Sequence, residues 1–290
     1  QDCKFNLVCQ KLQLEKGESL LDIGCGWGTL AAHAATHYGV DATGVTLAKE
    51  QTQFANARFE KWDIADRARV LCKDYRDIPK RKYDKIVSLE MVEHVGVKNL
   101  DKYFSDVYNL LEDDGLFLLQ WTGIRKLGIG PAYGPGNIGL RPEDLSWALF
   151  MNKYIFPGAD ASLACAPMTE YAEKNGFEIQ TIENVSFHYT LTLRRWHDNW
   201  IANKDKVIAA YGDRWYRIWH FFLAWSALIG EQGRAACFQI VMNKNLDKYN
   251  RRKFMAPATP FGPRRSQSLA EPALPSLNEN DVLPSVAAAE

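Results

Sequence analysis

The stretch LDIGCGWGTL at 21–30 sets Gly24, Gly26 and Gly28 at alternate positions directly after an apolar run, with Asp22 two residues before the first glycine. A glycine-rich turn from strand to helix exposes backbone N–H groups beside the positive end of a helix dipole. That suits a ligand which must approach the main chain closely. A tight turn with no ligand is the plain alternative, and it explains one glycine better than three. Trp27 is either a packing residue at the helix start or part of a cleft wall. DYRD at 74–77, EMVEHVG at 90–96 and HYT at 188–190 each gather acids, bases or a phenol within a few residues, although DYRD also reads as a solvated turn. His94, beside Glu93, serves equally well as a hydrogen-bonding group within its loop.

These groups need a frame, and the hydrophobic pattern supplies one. Residues 1–13 have helical spacing, and SLLDIG is a short apolar run ended by glycine, as in a buried parallel strand. TLAAHAATHY follows as an alanine-rich helix, DATGVTL as a second strand and LAKEQTQFANARFEKW as another helix. RVLCKD, KYDKIVSLE and GLFLLQW continue as strands, while NLDKYFSDVYNLLEDDG reads as a helix closing on Gly115 as its C-cap. Such alternation implies an α/β fold, a mostly parallel sheet with helices on both faces.

Residues 124–163 break this rhythm with KLGIGPAYGPGNIGL and an aromatic segment, and are expected to form an insertion over one end of the sheet. A helix and a strand are expected over MTEYAEKNGFEIQTIENVSFHYT, two helices over 193–229, and a last strand over ACFQIVMNKN. If Tyr189 lies on a strand, His188 points to the opposite face, and it is assigned no role. From Ala256 onward Pro, Ser, Ala and Glu dominate, so residues 1–255 are expected to form the domain and 256–290 a disordered tail.

Thirty-five basic residues balance thirty-five acidic ones, leaving no overall field that would draw the chain to nucleic acid or to an anionic membrane surface. The six cysteines are scattered, without CxxC or a histidine at metal-ligand spacing; free, mostly buried thiols are expected and a metal site is not. WYRIWHFFLAWSALIG at 215–230 is interrupted by Arg217 and His220 and falls short of the ~20 residues of a bilayer span, so it reads as a core helix. The aromatic residues of this region, Trp196, Trp200, Trp215, Tyr216, Trp219, Phe221 and Phe222, are expected to be mainly core. The chain opens at Gln1 inside an amphipathic pattern, as a piece of a longer protein would, and any membrane anchor would lie upstream.

The acid-led GxGxG spacing differs from the GxGxxG dinucleotide fingerprint and is typical of S-adenosylmethionine (AdoMet) methyltransferases. LDIGCGWGTL, GVTLAKEQ, DYRDIP, SLEMVEHVG, LFMNKYIFPGA and HYTLTLRRW, in this order, resemble the cyclopropane-fatty-acid-synthase superfamily of AdoMet-dependent lipid methyltransferases over residues 1 to about 250. Within it the chain is most similar to the fungal-type sphingolipid C9-methyltransferases, through Glu90, Gln120 and FMNKYIFPGADAS at 150–162. The resemblance implies a class I AdoMet methyltransferase fold, Rossmann-like, with a mostly parallel seven-stranded sheet and a helical, aromatic insertion that binds lipid.

It also implies site residues. Leu21, Asp22, Ile23, Gly24, Cys25, Gly26, Trp27, Gly28 and Thr29 would cradle the methionine end of AdoMet, with Asp22 fixing the turn. Thr46, Leu47 and Gln51 lie in the next cofactor segment, where Gln51 stands as a neutral partner in place of the usual ribose-binding acid. Tyr75 and Arg76 match a pair beside the adenine, and Asp74 would accept from its amino group. On the catalytic side Glu93 and Tyr189 match a glutamate and a tyrosine that, in the superfamily, hold a bicarbonate ion serving as base. Gln120 replaces the family histidine and Ser226 a family cysteine. Glutamine orients an oxyanion by donation but adds no positive charge and relays no proton, so bicarbonate is implied here through the resemblance alone.

An alkene is a poor nucleophile, and adding a methyl cation to it builds a carbocation that must be stabilised, shielded from water and deprotonated. The reaction implied by the resemblance is methyl transfer from AdoMet to C9 of the Δ8 double bond of a sphingoid base in ceramide or glucosylceramide. Cyclopropane synthesis, in which the proton leaves the new methyl group, and a non-catalytic AdoMet- or lipid-binding protein are the alternatives. The implied partners are a lipid substrate and a membrane surface, with the catalytic domain in the cytosol, and no nucleic acid.

Overall fold

Leu20, Leu21, Asp22 and Ile23 are all buried, as befits a strand with neighbours on both edges and helices on both faces. They belong to β1 (Ser19–Ile23), which in the computed structural model pairs in parallel with β2 (Asp41–Thr46) and β4 (Tyr83–Leu89). The structure is described for residues 1–124, 142–160 and 162–255. With β3 (Ala68–Cys72), β5 (Leu111–Ile124), β6 (Phe177–Asn184) and β7 (Ala235–Lys244), the sheet has seven strands in the order β3-β2-β1-β4-β5-β7-β6. Among the described strands, only β7 runs antiparallel to the rest.

The helices that join the strands are amphipathic in the expected places. In α4 (Leu100–Leu110), Leu100, Tyr103, Phe104 and Val107 recur at i, i+3, i+4 and i+7 and pack with Leu21, Ile86, Phe117 and Leu119 of the sheet and with Met168 of α6 (Cys165–Lys174). Each such side chain contributes on the order of 1.5–3 kcal/mol by leaving water. On the other face α1 (Asp2–Lys11) and α2 (Thr29–Tyr38) lie against one another, and α3 (Lys49–Lys61) joins β2 to β3. Residues Gln1–Asn250 form one compact unit; the described part of the second, 251–255, contains the short helix α10 (Arg252–Met255). The 256–290 tail and residues 125–141 of the insertion lie outside the described residues, whereas α5 (Pro142–Tyr154) occupies the insertion's aromatic part.

Four local expectations are corrected. The helix before β5 ends at Leu110, and Gly115 is a strand residue, not a C-cap. Tyr83 pairs with Leu111 and Lys85 with Leu116, so the acidic EDDG residues bulge from the ladder. A Cβ on Gly115 would lie 2.7 Å from Asp84 O and from Leu111 Cδ1, which is why the bulge takes a glycine.

HYT does not extend a strand. It begins α7 (Ser186–Ala202), entered through Ser186, whose amide donates to Asn184 Oδ1. The late stretch then forms three helices, because Asn203 separates α7 from α8 (Lys204–Tyr211) and Gly212, at φ +82°, separates α8 from α9 (Asp213–Glu231). All six cysteines are free, but only Cys9 and Cys237 are buried.

Gly28 illustrates how tightly α2 docks. Its φ is +71°, and a Cβ there would sit 2.9 Å from both Ala55 Cβ and Phe59 Cζ of α3 and 3.1 Å from Val70 Cγ2 of β3. Gly28→Ala combines a left-handed backbone with overpacking of a rigid neighbour, and is expected to cost about 2–4 kcal/mol in denaturant unfolding. A loss under about 0.5 kcal/mol would mean that α2 can shift freely on α3.

Candidate active site at the carboxyl edge of the sheet

The glycine loop emerges where β1 ends, at the sheet edge where open α/β folds bind ligands. Its turn is closed by the backbone: the amides of Gly24 and Cys25 both donate to Val45 O at 3.0 Å, so Asp22 is not what fastens it. The three glycines have different tasks. Gly28 admits α3, and a Cβ on Gly24 would lie 2.6 Å from Met91 Cγ, while Gly26 faces open space at φ +53°. Gly26 is therefore the point at which bare backbone can meet a ligand. Trp27 beside it is 37% exposed and meets Phe54 edge-on at 5.2 Å. Arg58, which the sequence reading passed over, donates to Trp27 O at 2.8 Å and Thr29 Oγ1 at 3.2 Å and so clamps the loop from α3.

Asp22 lies buried beneath the loop. Loss of water pushes its carboxyl up to about 7, against the pull of the Lys4 ammonium. Beside the loop, Thr46 Oγ1 donates to Gln51 Oε1 at 2.7 Å, and Leu47 is 73% exposed. Asp74 is committed to Arg76. The guanidinium grips both carboxylate oxygens at 2.8 and 2.7 Å and the Arg76 amide donates at 2.9 Å, which holds the Asp74 carboxyl down at about 2. Tyr75 packs edge-on against buried Tyr103 at 5.7 Å.

The catalytic candidates meet across the strand ends. In register, Leu89 of β4 pairs with Gln120 of β5, Gln120 with Gln239 of β7, and Gln239 with Glu183 of β6. Directly paired residues share a sheet face, so a polar row crosses the apolar sheet. Lys11 of α1 donates to Glu183 and to Gln239 Oε1; Gln239 Nε2 donates to Gln120 Oε1 at 2.6 Å. Gln120 Nε2 then donates to Glu90 Oε1 at 2.7 Å and to Tyr189 Oη at 3.3 Å. Gln120 and Gln239 are buried, whereas Glu90 and Tyr189 are half-buried. Glu90 holds φ +61°, a conformation costing a non-glycine residue about 1–2 kcal/mol, and its N–H donates to Gln120 O. Burial raises its carboxyl above the usual glutamate range.

Glu93 is buried in the turn after β4. Its Oε1 accepts the Thr122 amide at 2.6 Å, its backbone carbonyl accepts from Asp160 N at 2.8 Å, and Oε2 is buried with no hydrogen-bond partner. Loss of water pushes its carboxyl up to about 7, with the Glu90 charge adding to the rise. Ser226 stands apart from this cluster: it is buried in α9 and accepts from Trp147 Nε1 of α5 at 3.4 Å. His94 and His188 are both exposed.

Sequence reading singled out Glu93, Gln120 and Tyr189, which the fold gathers, and left Glu90 as a matching position without a role. Its signal was two acids three apart directly after a strand. Lys11 and Gln239 carried no local signal at all.

Tyr189 also joins an apolar cluster of Leu193 on α7 with Phe222, Leu223 and Ala227 on α9, which Phe150 and Met151 of α5 cover. The late aromatics are less a core than expected. Tyr216 and Phe222 are buried, Trp200 and Trp219 half-buried, but Trp196, Trp215 and Phe221 are over 40% exposed. A groove of about 340 Å³ runs between α7 and α9, lined by Trp196, Asn199, Trp200, Asn203, Trp219 and Leu223.

Residues 1–240 match the model of the mycolic acid cyclopropane synthetase family. The chain belongs to that family. Among curated relatives it is 50% identical over 254 residues to sphingolipid C9-methyltransferase 2 of Gibberella zeae, covering 87% of this chain and 46% of the relative. It is 46% identical over 265 residues to the sphingolipid C9-methyltransferase of Komagataella phaffii, covering 88% and 52%. The cyclopropane-fatty-acyl-phospholipid synthase of Escherichia coli is 34% identical over 226 residues, covering 77% and 52%. The chain thus spans about half the length of these relatives. Among solved structures, the cyclopropane synthase MmaA2 from Mycobacterium tuberculosis superposes with a TM-score of 0.77 at 27% identity, covering 83% of each chain. The mycolic acid cyclopropane synthase CmaA1 complexed with SAH and CTAB gives 0.74 at 29% identity, again covering 83% of each. The expected fold, a mostly parallel seven-stranded sheet with helices on both faces, is therefore present.

A buried carboxyl whose pKa rises on folding binds its proton more tightly in the native state. Its stabilising contribution is complete below the ordinary value of 4.5 and is lost as pH climbs through about 7. Glu93→Gln, which keeps the acceptor for the Thr122 amide, should gain stability over the native chain progressively between these limits, by on the order of 1–3 kcal/mol, and hold that gain above them. Urea unfolding at a series of pH values checks this. A pH-independent difference would show that Glu93 does not titrate in this window.

Proposed function

We propose that this chain is the AdoMet-binding and catalytic part of a lipid C-methyltransferase that methylates C9 of the Δ8 double bond in a sphingoid base of ceramide or glucosylceramide. The observation that carries the proposal is the meeting, at one sheet edge, of an open glycine loop with a half-buried carboxylate and phenol that border an apolar helical cluster. The loops touch, since Gly24 abuts Met91 next to Glu90. Identity of 46–50% to sphingolipid C9-methyltransferases, against 34% to the cyclopropane synthase, supports the methyl-branched product over the ring.

The residues present fit AdoMet. The open backbone at Gly26 and the buried Asp22 carboxylate suit its amino-acid end, and Trp27, Leu47 and Gln51 border the remaining approach. Bound there, it supplies an electrophilic methyl group. Tyr75 and Arg76 would flank the adenine, while Asp74, with both oxygens held by Arg76, serves to orient that guanidinium. The residues do not fit bicarbonate. Among the described residues, the side chains bonded to Gln120 are a carboxylate, a phenol and an amide, so an anion would face Glu90 and Glu93 without a cation in contact.

The apolar groove between α7 and α9 and the exposed Trp196, Phe221 and Leu228 suit an acyl chain and a lipid surface from which it is drawn. No helix among the described residues is long and apolar enough to cross a membrane, so any contact made by them is peripheral.

Full-length protein incubated with methyl-labelled AdoMet and ceramide should label the lipid, and hydrogenation of the product should reveal an alkene, not a ring. Label confined to small polar metabolites would remove the lipid assignment. Glu93→Gln, which keeps the Thr122 bond, should change AdoMet affinity by less than about threefold in calorimetry.

A further inference from the structure

We infer that Glu90 is the group that takes the proton from the substrate carbon, a carboxylate built into the chain and aimed by a hydrogen-bond relay that begins at Lys11. The inference rests on the methyl-transfer reading above and names the base for it.

The relay has only one possible polarity. A lysine ammonium donates and never accepts, so Gln239 must turn its Oε1 to Lys11 and its Nε2 to Gln120. Gln120 therefore accepts with Oε1, and its Nε2 can only donate onward, to Glu90 Oε1 and Tyr189 Oη. Two amides whose oxygen and nitrogen are nearly alike in shape are thus fixed from α1. The end of the relay is a carboxylate held in place by donation to Oε1 from Gln120 and from the Cys237 thiol.

Glu93 fits this task less well. It is buried, and its Oε1 is tied to the Thr122 amide, so it binds the turn to β5. Glu90 is half-buried, directly follows β4, and keeps a left-handed backbone that the Glu90 N–H to Gln120 O bond maintains. Strain of that kind persists where surroundings over-determine it, and is commonest at functional positions. The charged and titratable groups that act on Glu90 from the packed elements are Lys4 of α1, the Cys237 thiol of β7 and Glu93.

The chemistry balances without another reagent. Once the π pair of C8=C9 has bonded C9 to the incoming methyl group, C8 is electron-deficient. The C9–H bond then breaks, its electron pair restores C8=C9, and the proton passes to the Glu90 carboxylate and afterwards to solvent. Lys11, Gln239 and Gln120 are positioning residues in this scheme.

The test compares native protein, Glu90→Gln and Glu90→Gly in buffer stripped of carbon dioxide and in the same buffer with added bicarbonate or formate. Glu90→Gly is expected to fold, because glycine suits φ +61°. Native turnover should change by less than about twofold with bicarbonate, and Glu90→Gln should lose about a hundredfold or more with AdoMet affinity within about threefold. Glu90→Gly should regain turnover when formate supplies a replacement carboxylate. Lys11→Met should lower kcat about tenfold at unchanged KM for AdoMet, with recovery in Lys11→Arg.

Native turnover that depends on bicarbonate, or full activity in Glu90→Gln, would overturn the inference and leave the methyl-transfer reading standing. If native protein methylates no lipid, that reading fails by itself. Titration with isotope-labelled bicarbonate followed by NMR then still decides the assignment: saturable binding to the native chain, lost in Glu93→Gln, would overturn it, and no binding is expected.

Discussion

The polar row from α1 across β6, β7 and β5 to the end of β4 is the constraint around which the site is organised. Buried amides in an apolar sheet are tolerable only when every donor and acceptor is matched, since an unpaired group costs about 1–3 kcal/mol. Here the matching starts from Lys11, which can only donate, and ends on Glu90, which as a carboxylate can only accept. The same bonds that satisfy Gln120 and Gln239 therefore also orient the Glu90 carboxylate. Stability and chemistry depend on one set of contacts, and the helix at the chain's start is part of the site although it stands at the opposite end of the numbering.

Around that row the sheet's carboxyl edge is divided between two environments. On the β1 side, backbone predominates: Gly24 and Cys25 amides close the turn on Val45, Arg58 clamps it from behind, and Gly26 is left bare. On the β5 side, side chains predominate, and two carboxyls, Glu90 and Glu93, are held where loss of water raises both. Placing two acids in one poorly hydrated pocket costs stability, as the raised pKa values state directly. Such a cost is characteristic of a site where proton transfer is needed near neutral pH.

The helices beyond β6 complete the enclosure. Tyr189 lies at the junction, its hydroxyl on Gln120 and its ring against the Leu193, Phe222 and Leu223 cluster. A substrate that offers π electrons at one point and hydrocarbon along the rest of its length matches that junction of a polar point and an apolar trough. The exposed indoles of α7 and α9 extend the apolar surface outward.

The strand and helix alternation, the placing of the glycine loop, EMVEHVG and DYRD at strand ends, and the parallel α/β class were legible in the sequence, because periodicity and turn chemistry are local properties. The order of motifs also named Glu93, Gln120 and Tyr189 as candidates, and the fold brings Gln120 and Tyr189 into contact. What α7 would be was not legible. SFHYTLT is rich in aromatic and β-branched residues that favour strands, and its packing against α9 overrides that preference. Nor could spacing tell that Gly24 and Gly28 make room for neighbours while Gly26 alone stays open, or that Arg76 already occupies Asp74. The sequence by itself determined which chemical groups arrive at the sheet's edge. Only the tertiary structure decided which of them meet, because the bond from Lys11 to Gln239 joins residues 228 positions apart and exists only because α1 packs its last turn against β6 and β7, a contact that no local pattern encodes.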